Sequence, residues 1–158
     1  MESSPISRPT IVPWPPVLVG GALVIGVLLG RLYPIEWPGT NDLPARIIGN
    51  GLGIAGLALV AWGFLTLQRA GTTFLPNNRA DQLVIDGAFR FRRNPIYMGE
   101  VLIFLGLAEL THNIWFAILA PLFALAVYLL AILPEEQHLE TRFGQAYLDY
   151  KERTRRWF

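Results

Sequence analysis

Cysteine is absent from the 158 residues, which removes disulfides, zinc–thiolate sites and a cysteine nucleophile together. Charge is scarce as well: Asp, Glu, Lys and Arg make up 16% of the chain, against about a quarter in an ordinary soluble domain. The charge present nearly cancels, with 13 basic residues against 12 acidic. A field strong enough to bind nucleic acid is therefore missing. Intrinsic disorder is excluded by a hydrophobic content of 53% and a mean hydropathy of +0.39. No G-x-G-x-x-G, P-loop or G-x-S-x-G run occurs, so a Rossmann-type cofactor site is not expected.

What is present is long stretches without charge. Residues 9–30, 47–68 and 110–134 carry none. A bilayer core needs roughly 20 apolar residues as a helix. The pattern predicts three spans, at about Pro16 to Leu32, Ile47 to Leu67 and Ile114 to Leu133. A fourth, shorter stretch, Ile96 to Leu110, is about 22 Å long at 1.5 Å per residue. With the span after it, across Thr111-His112-Asn113, it reads as a tight helical hairpin. The expected fold is all-α: a polytopic bundle of about four transmembrane helices, the last two a hairpin, with an amphipathic helix after them. The whole chain, 1–158, reads as one domain, with two spans in 1–67 and the remaining elements in 68–158.

Arginines 69, 79, 90, 92 and 93 crowd the segment after the second span, and Arg142, Lys151, Arg153, Arg155 and Arg156 crowd the end of the chain. The positive-inside rule places both segments in the cytoplasm, which demands an even number of crossings between them and so supports the hairpin. Both termini are expected to be cytoplasmic. The first segment carries little positive charge, is rich in proline and has no small-x-small cleavage pattern, so it reads as an uncleaved helix. Glycines 49, 51, 53 and 56 suit close helix packing within one chain or between chains. His112 and His138 fall near opposite ends of a span, so no metal site is expected.

Two polar segments are candidates for chemistry. Residues 68–95 mix Gly, Pro and Asn with Leu83, Val84, Ile85, Phe89 and Phe91, more apolar content than a solvated connector needs. At its end, Pro95 suits a first helical turn and Asn94 its N-cap. Tyr97 and Glu100 follow at i+3 spacing, on one face just inside the membrane boundary. An ionisable residue there is a functional candidate, or it faces the interface. The second segment starts at Pro134, expected to kink or restart the helix. Glu135 and Glu136 then either complement a helix dipole or face a cationic ligand. Leu139, Phe143, Tyr147 and Tyr150 recur at spacings of four, four and three, the stripe of an amphipathic helix that closes over the first segment or lies on lipid. Arg155-Arg156-Trp157-Phe158 suits a headgroup anchor.

Three pieces in this order, AGTTFLP (70–76), LVIDGAFRFRRNPIYMG (83–99) and EEQHLETRFGQAYLDYKERTRR (135–156), resemble the integral-membrane methyltransferases that include isoprenylcysteine carboxyl methyltransferases and phospholipid N-methyltransferases. The resemblance implies S-adenosylmethionine as methyl donor, S-adenosylhomocysteine as product, a cytosol-facing pocket in a bacterial or archaeal inner membrane, and a lipophilic acceptor entering from the bilayer. It implies donor contacts at Gln82, Leu83, Val84 and Phe89, at Asn94 and Tyr97, and at Glu135 and Glu136. The chemistry of such a donor also calls for a cation on its carboxylate, for which Arg90 and Arg93 are the candidates. Phe89 stands where the family usually has Tyr, and Asn94 where it has His. The arginine that precedes the glutamate pair in eukaryotic prenylcysteine enzymes is replaced here by Ala131-Ile132-Leu133-Pro134. That departure leaves the acceptor open between a prenylcysteine-like carboxylate and a lipid amine, for which Glu100 is the candidate base. Competing readings are a membrane reductase using a nicotinamide cofactor, to which sterol-reductase C-terminal regions are loosely similar, and a small non-enzymatic bundle.

Overall fold

In the computed structural model, residues 14–35, 37–38, 42–71 and 82–157 are described. The proline-rich start before Trp14, most of the 70–76 piece, Arg79 and Phe158 lie outside them. Every regular element among the described residues is helical: α1 (Trp14–Leu32), α2 (Leu43–Arg69), a 3₁₀ turn (Gly87–Arg90), α3 (Pro95–Thr111), α4 (Ile114–Val127), a π turn (Tyr128–Ile132), α5 (Leu133–Phe143) and α6 (Gln145–Arg153). Among the described residues three helical runs are long and apolar enough to cross a membrane: Pro15–Leu32, Leu43–Arg69 and the continuous Ile114–Phe143. At 17 residues, α3 is shorter. The run Ile114–Phe143 has 30 residues, about 45 Å of helix. Its last third therefore projects beyond a hydrocarbon core of about 30 Å and carries the two glutamates out of it.

Helix α1 packs on α4, α4 on α3, and α3 on α2. The α3–α4 hairpin thus stands between the two helices that precede it in the chain. Its turn is closed by His112, in the left-handed conformation at φ 51°, and by Asn113. The Asn113 side chain accepts from the Trp115 amide at 3.1 Å and donates to the Gly26 carbonyl of α1 at 2.9 Å. Replacing Asn113 by alanine removes a helix cap and an interhelical bond at once. A loss of about 1–2 kcal/mol is expected, read as a lower unfolding temperature in detergent by tryptophan fluorescence. An unshifted transition would show that neither bond contributes.

Glycine sets the spacing of α2 against α3. A Cβ on Gly56 would lie 2.5 Å from the Gly99 carbonyl oxygen, and one on Gly106 would collide with the Cα of Gly53. Gly49, Gly53 and Gly56 all serve this intrachain contact; Gly51 meets nothing. On its other side α3 packs aromatic residues against α4, with the Phe104 and Phe123 rings 5.0 Å apart. Tyr97, Phe116, Val127 and Ile132 complete that core. Large apolar side chains on α1, α2 and α4, among them Val24, Ile25, Ile54, Leu57, Leu122 and Leu125, face outward, as they do where lipid is the solvent.

Two local expectations change. Pro134 does not break the helix: α4 runs into α5 through the π turn Tyr128–Ile132. A proline ring clashes with the carbonyl four residues earlier, and the wider π turn directly before it absorbs that clash. The amphipathic segment is two helices rather than one, because Gly144 adopts φ +52° between Phe143 and Gln145, a conformation that ends α5 at little cost only for glycine.

Candidate functional site

A cavity of about 800 Å³, measured out to its open mouth, lies where α2 ends, α3 begins and α5 emerges from the bundle. The end of α2 contributes Leu67, and the extended segment after it contributes Gln82, Leu83 and Val84. Phe89 comes from the 3₁₀ turn. Arg93, Asn94, Pro95, Ile96 and Tyr97 enter at the start of α3, and Glu135, Glu136 and Leu139 come from α5. Tyr147 and Tyr150 of α6 close the side. Gln82, Leu83, Val84, Phe89, Arg93, Asn94, Tyr97, Glu135 and Glu136 therefore line one space. Arg90 is exposed and does not line it. Neither does Glu100, which sits half-buried one turn further along α3.

The α6 segment covers the loop rather than lying apart on lipid. Tyr150 donates its hydroxyl to the Phe89 carbonyl at 2.6 Å, and the Arg93 amide bonds the Arg155 carbonyl at 3.0 Å. The Arg93 guanidinium reaches the carbonyls of Lys151 at 2.7 Å and Thr154 at 2.6 Å. It also donates to Glu136 Oε1 at 3.3 Å. Arg156 meets the same carboxylate with two bonds, Nε to Oε1 at 2.9 Å and Nη2 to Oε2 at 2.6 Å. Its guanidinium lies 5.1 Å from the Tyr128 ring centre. A bidentate arginine pair of this kind fixes orientation as well as charge. Arg156 is thus a partner of Glu136 and not a headgroup anchor, and Trp157 packs on the hydrophobic core.

Burial and these contacts together set the protonation of α6 and the residues after it, the lid of the cavity. The hydrogen bond and charge of Glu136 push the Arg156 pKa above its ordinary value. Burial pushes the Tyr150 hydroxyl up to about 12, against the opposing pull of the Thr154 bond and the Arg93 charge. Burial, then the nearby Glu136 charge, raises Tyr147. Both tyrosines stay protonated donors at neutral pH.

The two glutamates differ in what they leave free. Glu136 is 6% exposed and committed to two guanidinium groups. Glu135 opens on the cavity and accepts from the Tyr97 hydroxyl at 3.4 Å. Asn94 stands at the N-cap position, but its side chain makes no cap bond. Its Nδ2 is buried without a hydrogen-bond partner among the described residues, so the amide has a donor to give to a ligand. A cavity with a free carboxylate, an amide donor, an arginine and four aromatic rings suits a zwitterionic ligand with a flat aromatic part. Among the described residues no group of three or more His, Asp or Glu is placed to hold a metal.

Sequence reasoning did not anticipate Arg156 as the partner of Glu136. Five basic residues follow Glu136, and nothing in their order distinguishes the one that turns inward. No curated protein and no solved structure matches the chain. A family model described as phospholipid methyltransferase matches residues 44–146, from the start of α2 into α6.

Proposed function

The chain belongs to the phospholipid methyltransferase family, and from that premise we propose that this membrane methyltransferase binds S-adenosylmethionine in the cavity and methylates a lipophilic acceptor that enters from the bilayer. One observation carries the reading: two stretches of chain some 40 residues apart, 82–97 and 135–136, line a single cavity at the end of the bundle.

The donor supplies an activated methyl group on a sulfonium, and the protein's work is alignment and exclusion of water. Glu135, the member of the glutamate pair without a cationic partner among the described residues, takes the donor ammonium. Arg93 and the free Asn94 amide take polar groups, and Phe89, Tyr97 and Tyr147 line the sulfonium and adenine. Helices α5 and α6 close the site. The acceptor reaches it sideways between helices. The family's description favours a phospholipid headgroup, and the missing arginine before the glutamate pair disfavours a prenylcysteine carboxylate. The positive-inside asymmetry supports a cavity and termini that face the cytoplasm.

The test is calorimetric titration of detergent-purified protein. S-adenosylmethionine should bind saturably, S-adenosylhomocysteine should compete, and reduced nicotinamide nucleotides should give no heat. Binding of the nicotinamide nucleotide alone would replace this reading with the reductase.

A further inference from the structure

Glu100 is a carboxylate at bilayer depth that the cavity does not employ. It lies one turn beyond Tyr97 on α3, about 4.5 Å further along the axis and away from the cavity mouth. The side chain is half-buried. Its Oε2 is enclosed and has no hydrogen-bond partner among the described residues. None of Arg93, Lys151 and Arg156, the cations paired near the cavity, is paired with it; they hold Glu136 and Glu140 instead.

An enclosed carboxylate without a partner is costly wherever water is excluded. In a spanning helix such a group normally serves a ligand or a proton. Its position fits the first and the second together. It stands on the bilayer side of Tyr97, where a headgroup arriving from the membrane would meet it before reaching the cavity. A negative charge there repels a carboxylate acceptor and attracts an ammonium. Glu135, the cavity carboxylate with no ion pair among the described residues, is held by Tyr97 at the cavity wall.

We infer that Glu100 receives the ammonium headgroup of the acceptor lipid and is the base that frees its nitrogen for methylation. The inference rests on the reading of the cavity as a methyl-donor site. Glu100 takes one proton from the lipid ammonium, leaving a neutral amine with its lone pair. That pair forms the new N–C bond as the C–S bond breaks and its electrons remain on sulfur. The positive charge lost by sulfur reappears on the methylated ammonium. Glu100 then returns its proton to water, and the product can be deprotonated again for a further transfer.

Two measurements test this. In nanodiscs containing phosphatidylethanolamine, dicyclohexylcarbodiimide should couple the lipid amine to Glu100 as an amide, located by peptide mass spectrometry and absent from phosphatidylcholine nanodiscs. An adduct at Glu135 instead, or none, would overturn the assignment. In the second, Glu100→Gln should leave the Kd for S-adenosylmethionine unchanged and lower kcat on phosphatidylethanolamine at least 100-fold, within the range of general-base catalysis of about 10²–10⁴. Glu100→Asp should recover part of the loss. A Glu100→Gln enzyme within threefold of the wild type, or a wild type that methylates a farnesylcysteine carboxylate and no amine, would reject Glu100 as base. Failure of the wild type to bind S-adenosylmethionine would reject the donor site itself, a different result from any of these.

Discussion

Glu136→Ala should abolish donor binding, with a loss of at least 100-fold, and leave the membrane helices folded. The carboxylate holds Arg156 through two bonds and Arg93 through one. Its side chain is 7% exposed, that of Arg93 10% and that of Arg156 27%. Removing one member of a buried ion pair typically costs about 3–5 kcal/mol, since the remaining charge stays desolvated. Here Arg156 can swing into solvent and Arg93 keeps two carbonyl bonds, so about 3 kcal/mol is the better figure. At 1.4 kcal/mol per tenfold, that is roughly a 100-fold change in the closed population of the lid. The expected signature is faster tryptic cleavage at Lys151, Arg153 and Arg155, with loss of the calorimetric signal for S-adenosylmethionine. Glu136→Gln keeps the shape and should retain intermediate affinity. Unchanged donor affinity in the alanine variant would remove Glu136 from the site.

The second large effect is expected far from any ligand. Gly106→Val should disrupt α2–α3 packing. Even the first carbon of a side chain at 106 collides with the Gly53 backbone, and backbone cannot rotate away as a side chain can. Overpacking costs about 1–3 kcal/mol in ordinary cores, and a backbone-to-backbone clash belongs at or beyond the top of that range. Small residues let membrane helices approach, and the van der Waals contact they permit is most of what holds such helices together. Because α3 carries Asn94 and Tyr97, activity should fall with stability. Gly51→Val is the control: Gly51 meets nothing, and its unfolding temperature should match the wild type. Equal transitions for the two variants would refute the packing.

The spans were legible because charge is nearly forbidden in hydrocarbon, so a gap in charge is a direct statement about environment. The α3–α4 hairpin was legible in two apolar stretches separated only by Thr111-His112-Asn113, with the parity of crossings between two arginine-rich segments as support. Eight of the expected positions that line the cavity came from the resemblance, and Arg93 from the need for a cation on a donor carboxylate; residue pattern alone would not have gathered them. Partner choice was not legible. Arg156 and Arg155 are adjacent and identical in chemistry, yet one side chain binds Glu136 while the other residue contributes its backbone to Arg92 and Arg93. That outcome depends on the break at Gly144, a single left-handed residue that resets the direction of everything after it. Glu109 teaches the same lesson. In sequence it marks the edge of an apolar run, whereas in the fold it is 4% exposed, packed against Gly49 and bonded to the Trp37 indole at 3.0 Å.

The order of the helices across the bundle has a consequence for biogenesis. Synthesis delivers α1 and α2 first, yet their final neighbours, α4 and α3, arrive later and occupy the middle. The glycine face of α2 therefore gains its final partner only when the hairpin takes its place between the early pair. Hydrogen bonds from Trp37 to Glu109, from Trp115 to the Tyr33 carbonyl and from Asn113 to Gly26 then tie α1 and the chain after it to the incoming hairpin, fastening a gate that could not close until the last helices were in place.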